Sequence, residues 1–165
     1  MDLEQAKDYI LSENYISEIL NTNKWVENGS EIMDYFYENS LMHQYANTKE
    51  KKLILSKYIK ERLTEFLENL DFELQDKTLY RSIYLKEKPE NKGKFGNCWS
   101  SRSDTYACTS QEYGMDEYIL EIDYNEEIID WERTLKSRID FMFGEREKEF
   151  FIKDIEISLK SFTVK

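Results

Sequence analysis

The stretch at residues 78–85, Thr-Leu-Tyr-Arg-Ser-Ile-Tyr-Leu, marks the point where the hydrophobic pattern of the chain changes. Its aliphatic side chains alternate with polar or amphipathic ones, as in a strand that buries one face. Leu79, Ile83 and Leu85 fall on the aliphatic face, and Arg81 shares that face because it lies two residues from each neighbour. We therefore predict a β-strand here with an arginine in the middle of its apolar face.

Upstream of this strand, apolar residues recur at helical spacing. Two short amphipathic stretches, 3–11 and 15–20, are separated near Ser12, and Ser30 is suited to cap a further helix. The clearest helix follows at 53–70, where Leu53, Leu63, Leu67 and their neighbours form one apolar stripe. The first 76 residues are therefore predicted to be helical.

Downstream of residue 76 the pattern alternates and is interrupted by polar loops. A segment at 131–143 is compatible with a short helix or an ordered loop. Helices followed by short strands predict an α+β domain spanning 1–165, with a helical part at 1–76 and a β-rich core at 77–165. The further strands are predicted at 95–101, 117–123, 147–153 and 155–164.

The charge balance narrows the range of partners. The formal net charge is -11, and neither half of the chain is basic. Because neutralisation of phosphates supplies most of the affinity for nucleic acids, this balance argues against tight, non-specific binding of DNA or RNA. A local groove that touches a few nucleotides remains compatible with it.

The cysteines do not indicate a disulfide framework or a metal site. Cys98 and Cys108 form no C-x-x-C pair and lie far in sequence from the single histidine, His43. We expect two reduced, partly buried thiols. The chain starts without the basic and apolar segments of a signal peptide and contains no long apolar run, so we expect it in the cytoplasm of the producing cell or delivered into that of a target cell.

Two segments of the β-rich part carry polar groups suited to a nucleotide. A buried Arg81 needs an anion or several acceptors, and its planar fork suits a diphosphate. Taken alone, the residue favours a structural arginine, paired with a carboxylate or reaching water at a strand end. In Trp99-Ser100-Ser101 a hydroxyl can hold a carboxylate and a ribose hydroxyl in fixed relation. The alternative is a polar strand end. A Ser-His-Asp hydrolase is not supported, because no G-x-S-x-G elbow is present.

The third segment places two glutamates near the C-terminus. In a strand Glu147 and Glu149 project to the same face, with Phe151 after them. Like charges on one face repel, so such a pair is retained mainly where the carboxylates do work. The alternative is a solvated, charged edge strand.

Taken in order, the arginine strand, the aromatic-Ser-Ser segment and the Glu-x-Glu strand resemble the Arg-Ser-Glu class of mono-ADP-ribosyltransferases. This class contains cholera-like and clostridial toxins and related phage enzymes. The resemblance covers roughly residues 78–165. It implies N-terminal helices packed on a split, mainly antiparallel β-sandwich, and it implies NAD as a substrate. The serine element departs from the usual Ser-Thr-Ser, and Ser100 is the preferred equivalent, with Ser101 second.

The resemblance also implies a role for each residue of the site. Glu149 would stabilise the oxocarbenium ion formed as nicotinamide leaves, Ser100 would orient Glu149, and Glu147 would face the nucleophile. The segment at 131–143 would recognise the target. The implied NAD-binding residues are Arg81, Ser100, Ser101, Trp99 and Tyr106, with core packing the favoured role of the two aromatic residues.

The expected activity is transfer of ADP-ribose from NAD to a macromolecule, with a protein arginine as the favoured acceptor. A toxin, a secreted effector and a phage enzyme are all compatible settings, and an antitoxin or inhibitor protein is a compatible partner. Transfer to a nucleic-acid base or to water keeps the chemistry and changes the acceptor. A non-catalytic acidic protein that binds a host factor is the alternative from a different class, and no membrane partner is expected.

Overall fold

The computed structural model describes residues 1–22, 49–72, 74–140 and 148–165. This part of the chain contains four α-helices, seven strands and two 3₁₀ turns. The helix predicted after Ser30 lies outside the described residues. The helices are α1 (Leu3–Ile10), α2 (Glu13–Thr22), α3 (Lys49–Asn69) and α4 (Trp131–Asp140). The strands are β1 (Thr78–Leu85), β2 (Lys92–Gly93), β3 (Cys98–Ser100), β4 (Asp116–Asp123), β5 (Glu149–Phe151), β6 (Ile157–Ser158) and β7 (Ser161–Val164).

The first two helices begin where their polar residues cap them. Asp2 and Gln5 form a capping box at α1, in which the Asp2 carboxylate accepts from the Gln5 amide at 2.8 Å and the Gln5 side chain accepts from the Asp2 amide at 3.1 Å. Ser12 accepts from the amide of Tyr15 through its hydroxyl at 3.3 Å. The predicted break at Ser12 is therefore confirmed, and the chain resumes as α2.

Helix α3 confirms the predicted long helix and corrects its apolar stripe. Ile59, Leu63 and Leu67 are buried at four-residue spacing. Leu53, which the prediction placed in the same stripe, is 72% exposed. It lies four and seven residues before Lys57 and Lys60, so it belongs to the charged side of the helix.

The main sheet has five strands in the order β5-β3-β1-β4-β7, and all of its strand pairs are antiparallel. Strand β1 lies at the centre and pairs with β4 along its whole length, from Thr78 opposite Asp123 to Leu85 opposite Asp116. Strands β2 and β6 form a separate two-stranded ribbon. The mixed α+β class is confirmed.

One face of the main sheet is the core of this part of the protein. Leu79 on β1 and Leu120 on β4 are fully buried, as is Phe150 on β5. Trp99 on β3 pairs directly with Phe150 and is 1% exposed. Strand β1 has the predicted boundaries because its alternation is long enough to fix both its ends and its inner face.

Strand boundaries elsewhere differ from the prediction. The strand predicted at 117–123 begins one residue earlier, and the one at 95–101 contracts to β3. Of the strand predicted at 147–153, the described residues 148–153 form only β5. Gly96 and Lys148 have φ angles of 86° and 53°, and a left-handed residue ends an extended run. The segment predicted as a single strand at 155–164 forms two, β6 and β7. The segment at 131–143 is helical through Asp140, and its last three residues lie outside the described ranges.

The chain divides into two compact units, residues 1–71 with 131–146 and residues 72–130 with 147–165. The first unit holds the four helices. Within it, Lys136 on α4 forms an ion pair with Glu132 at 2.9 Å and lies 4.9 Å from the ring centroid of Tyr9 on α1. The second unit holds the strands. The assignment of residues 1–165 to one domain stays a prediction.

We predict that Leu120→Ala lowers the free energy of unfolding by about 2–5 kcal/mol, because it leaves a cavity in the buried face of the sheet. Its neighbour Ile119 points to the opposite face and is partly exposed, so Ile119→Ala provides a matched control with a smaller loss. Urea unfolding followed by circular dichroism measures both. Equal losses would contradict the register of β4.

Candidate functional site

The face of the main sheet opposite the core carries a row of polar side chains, which we call the polar row. The registers place Glu149 opposite Ser100, Ser100 opposite Tyr80, Tyr80 opposite Glu121, and Glu121 opposite Ser161. Directly opposed residues on neighbouring strands project to the same side. The polar row therefore crosses all five strands of the sheet.

The residues proposed to carry the chemistry, Ser100 and Glu149, are immediate neighbours in this row. Ser100 is 2% exposed and Glu149 is partly buried. The Ser100 hydroxyl accepts a hydrogen bond from the Arg102 amide at 3.0 Å, which fixes the side chain at the end of β3. Cross-strand Cβ atoms lie about 5 Å apart, so the hydroxyl and the carboxylate are close enough to act on one ligand.

A thiol also contacts the glutamate. The Cys98 Sγ donates to Glu149 Oε1 at 3.3 Å. A hydrogen bond with Cys108, followed by burial and the negative charge of Glu149, raises the pKa of the Cys98 thiol far above its ordinary value. Both thiols are free and Cys98 is partly buried, as predicted, but Cys108 is exposed, so the prediction of two partly buried thiols is wrong for Cys108. The alternation of β3 contained the signal for the contact with Glu149, because Cys98 lies two residues before Ser100.

Arg81 lies on the other side of the sheet. Its partner across the β1–β4 ladder is the buried Leu120, and Arg81 itself is 8% exposed. Its NH1 group donates to the carbonyl oxygen of Cys98, and its buried Nε has no hydrogen-bond partner within the described ranges. The guanidinium packs so closely on Gly96 that an added Cβ there would lie 2.6 Å from NH2. Arg81 thus contacts β3 through the Cys98 carbonyl, on the core face of the sheet.

The structure does not bring every predicted NAD ligand to the Ser100–Glu149 pair. Trp99 projects into the core, where its Nε1 donates to the carbonyl of Gly96 at 3.0 Å. Ser101 is buried, and its amide donates to the carbonyl of Lys148 at 3.2 Å. Tyr106 is 75% exposed. The residue after it, Ala107, forms an isolated bridge with Ser82 of β1. The favoured role of core packing is therefore confirmed for Trp99 and wrong for Tyr106, whose side chain is exposed.

Glu147 lies outside the described residues, and its assignment to the site stays a prediction. Glu147 is predicted to share a face with Glu149 only if both belong to one regular strand. Lys148 is in the left-handed region, and β5 begins only at Glu149. The alternation therefore applies from Glu149 onward and gives no position for Glu147.

A second carboxylate on the same face is held by several donors. Glu117 accepts from the Ser82 hydroxyl at 2.6 Å and from Lys165 Nζ at 2.9 Å, with the Tyr84 hydroxyl at 3.5 Å. These bonds, led by the one from Ser82, lower the pKa of Glu117. Sequence inspection gave no signal for this cluster, because Ser82 and Lys165 are far apart along the chain.

No group of three or more histidine, cysteine, aspartate or glutamate side chains within the described ranges is arranged to hold a metal ion. None of the helices described is long and apolar enough to cross a membrane. Comparison of the chain with protein-family models, with curated proteins and with solved structures finds no match.

We predict that ionised Glu117 stabilises the folded state and that this stabilisation is lost at acidic pH. The pKa of Glu117 in the folded state lies below its ordinary value of about 4.5. The carboxylate therefore stabilises the folded state fully above about pH 4.5, and this stabilisation is lost as the pH falls through the lowered pKa. At pH 7, Glu117→Gln should lower the melting temperature by roughly 2–4 °C, and the difference from wild type should shrink towards pH 3.

Differential scanning calorimetry between pH 3 and pH 7 measures this difference. Asp116→Asn removes an exposed carboxylate from the adjacent position and serves as the control. A loss in Glu117→Gln that does not depend on pH would contradict the assignment.

Proposed function

We propose that this protein is an NAD-dependent mono-ADP-ribosyltransferase that transfers ADP-ribose to a macromolecule, with a protein arginine as the acceptor. The observation that carries the proposal is the direct cross-strand pairing of Ser100 with Glu149. The three segments that resemble the Arg-Ser-Glu class lie on adjacent strands, in the order β5-β3-β1. The split β-sandwich of that class, with helices packed against it, is part of the proposal.

In the proposed reaction the bond between the nicotinamide nitrogen and C1′ of its ribose breaks, and the electron pair leaves with nicotinamide. The ribose then carries oxocarbenium character. Glu149 bonds the 2′-hydroxyl and places its negative charge beside this positive charge, which stabilises the transition state more than the ground state. Glycosidases meet the same requirement with carboxylates.

Ser100 orients the carboxylate of Glu149 from the neighbouring strand. A hydroxyl can donate to the carboxylate while it accepts another bond, as it does from the Arg102 amide. Because Ser100 is almost fully buried, its position is set by the sheet and not by solvent. A fixed partner reduces the reorganisation needed when charge develops.

The acceptor completes the reaction. A guanidine nitrogen forms a new bond to C1′ and loses a proton, and the resemblance assigns the base to Glu147. The resemblance likewise assigns recognition of the target to the segment at 131–143. Both assignments are part of the proposal and rest on the sequence alone.

The structure supports a role for Arg81 different from that of a phosphate ligand. Its guanidinium lies under β3, whereas Ser100 and Glu149 project from the opposite face. In our proposal Arg81 therefore positions β3. The role of a diphosphate ligand, which the resemblance implies, requires the guanidinium to leave the Cys98 carbonyl.

We predict that the wild type converts NAD labelled in its adenylate part, incubated with a cell lysate, into labelled protein. Glu149→Ala should reduce the rate at least about a hundredfold, because it removes the charge that faces the oxocarbenium ion. Glu156→Ala removes an exposed glutamate from the same unit as Glu149 and should retain full activity. Labelled protein is separated by gel electrophoresis, and nicotinamide release is followed by chromatography.

The same assay separates the alternatives. Label on RNA or DNA would indicate a nucleic-acid acceptor, and free ADP-ribose would indicate a glycohydrolase. Excess of a small guanidine compound should divert the label if the acceptor is arginine. Absence of NAD cleavage by the wild type would refute the enzyme and favour the acidic binding protein, for which Glu149 and Glu156 are interchangeable.

A second prediction concerns Arg81. Arg81→Lys keeps the positive charge but loses the planar fork, so it should lower the free energy of unfolding by about 1–3 kcal/mol. Loss of the support under β3 should lower kcat for NAD cleavage. Urea unfolding and steady-state kinetics measure the two effects. Unchanged stability with a raised KM for NAD would instead indicate a phosphate ligand.

A further inference from the structure

Cys98 connects the buried interior to the carboxylate at the centre of the candidate site. Its Sγ donates to Glu149 Oε1 at 3.3 Å, and its carbonyl oxygen accepts from Arg81 on the opposite side of the sheet. Its side chain is partly buried and lies on the face that carries Ser100. Glu149 therefore has a thiol beside it in addition to its cross-strand hydroxyl.

The thiol is a donor that remains protonated. A hydrogen bond with Cys108, burial and the charge of Glu149 all raise the pKa of Cys98. An ordinary thiol, with a pKa of about 8.5, is partly ionised in mildly alkaline solution and then repels a carboxylate. Cys98 keeps its S–H over that range, so a proton stays available for the contact with Glu149.

We propose that Cys98 is a positioning residue, which holds Oε1 of Glu149 so that the carboxylate faces the ribose with a fixed orientation. The inference rests on the proposed function for its kinetic consequence. The contact itself can be tested independently of any activity. A hydrogen bond to a charged acceptor is stronger than one to a neutral acceptor, which gives it a spectroscopic signature.

Cys108 is the other thiol of the chain, and its interaction with Cys98 raises the pKa of Cys98. It is exposed, and its amide donates to the carbonyl of Ser82 at 2.9 Å, which ties its segment to the edge of β1. Its own Sγ donates to the carbonyl of Tyr106 at 3.8 Å. The hydrogen bond to Glu149 comes from Cys98 Sγ, so Cys108 can be replaced in the tests.

The first test uses the S–H stretching band in the infrared. In the Cys108→Ser background only Cys98 contributes, and a strong hydrogen bond lowers the frequency of its band. We expect the band to move to higher frequency when Glu149→Ala is added, whereas Glu156→Ala should leave it in place. An unchanged band after Glu149→Ala would overturn the contact.

The second test measures NAD cleavage by the full chain. Cys98→Ala removes the donor and should lower kcat about tenfold with little change in KM, whereas Cys98→Ser keeps a donor and should stay within about threefold of wild type. Urea unfolding confirms that both variants fold. Equal kcat losses in the two variants, or no loss in Cys98→Ala, would overturn the positioning role.

The two tests also distinguish this inference from the proposed function. NAD cleavage by the wild type without a Glu149-dependent band would refute the role of Cys98 alone. A Glu149-dependent band in a protein that does not cleave NAD would confirm the contact, but would refute the proposed activity and with it the kinetic role of Cys98.

Discussion

The continuous pairing of β1 with β4 is the constraint on which the second unit depends. Eight consecutive residue pairs fix both the register and the facing of these strands, because a shift of one residue would turn Leu79 and Leu120 away from the core. The other edge of β1 then receives β3, and β3 receives β5. Strands β3 and β5 have three residues each and are too short to specify their own register. The pairing of Ser100 with Glu149 therefore depends on the position that β1 gives to β3.

Arg81 illustrates how a buried charge is accommodated in this sheet. Taking a guanidinium out of water is costly unless acceptors meet it, and here the carbonyl of Cys98 accepts from it. Gly96 allows the close approach because it has no side chain and adopts a φ of 86°. Cys98 also contacts Glu149 through its thiol. Arg81 and Glu149 therefore contact the same residue of β3 from opposite faces of the sheet.

The parts of the fold that could be predicted from the sequence are those with long, regular patterns. The boundaries of β1 were predicted because its alternation runs over eight residues, and α3 was predicted because its apolar spacing runs over five turns. Strands β3 and β5 were predicted too long, since left-handed residues at Gly96 and Lys148 end the extended runs. Periodicity does not report such conformations at a lysine, where they are uncommon.

The candidate site was predictable in part for the same reason. The pairing of Ser100 with Glu149 agrees with their selection from sequence motifs, but the motifs could not indicate on which face of its strand Arg81 lies relative to them. The roles of Cys98 and Glu117 depend on contacts between distant segments. A net charge of -11 likewise describes the whole chain and conceals where individual carboxylates are held by donors.

Strand β7 forms one edge of the main sheet, and its two ends are flanked by Lys160 and Lys165. Lys160 forms an ion pair with Asp123 at 3.4 Å, and Lys165 forms one with Glu117 at 2.9 Å, so both ammonium groups are held beside the terminal residues of the strand. Charged lysines at an edge disfavour the addition of a strand from another molecule. Both carboxylates belong to β4, so the two ion pairs also anchor the ends of this edge strand to its neighbour in the sheet.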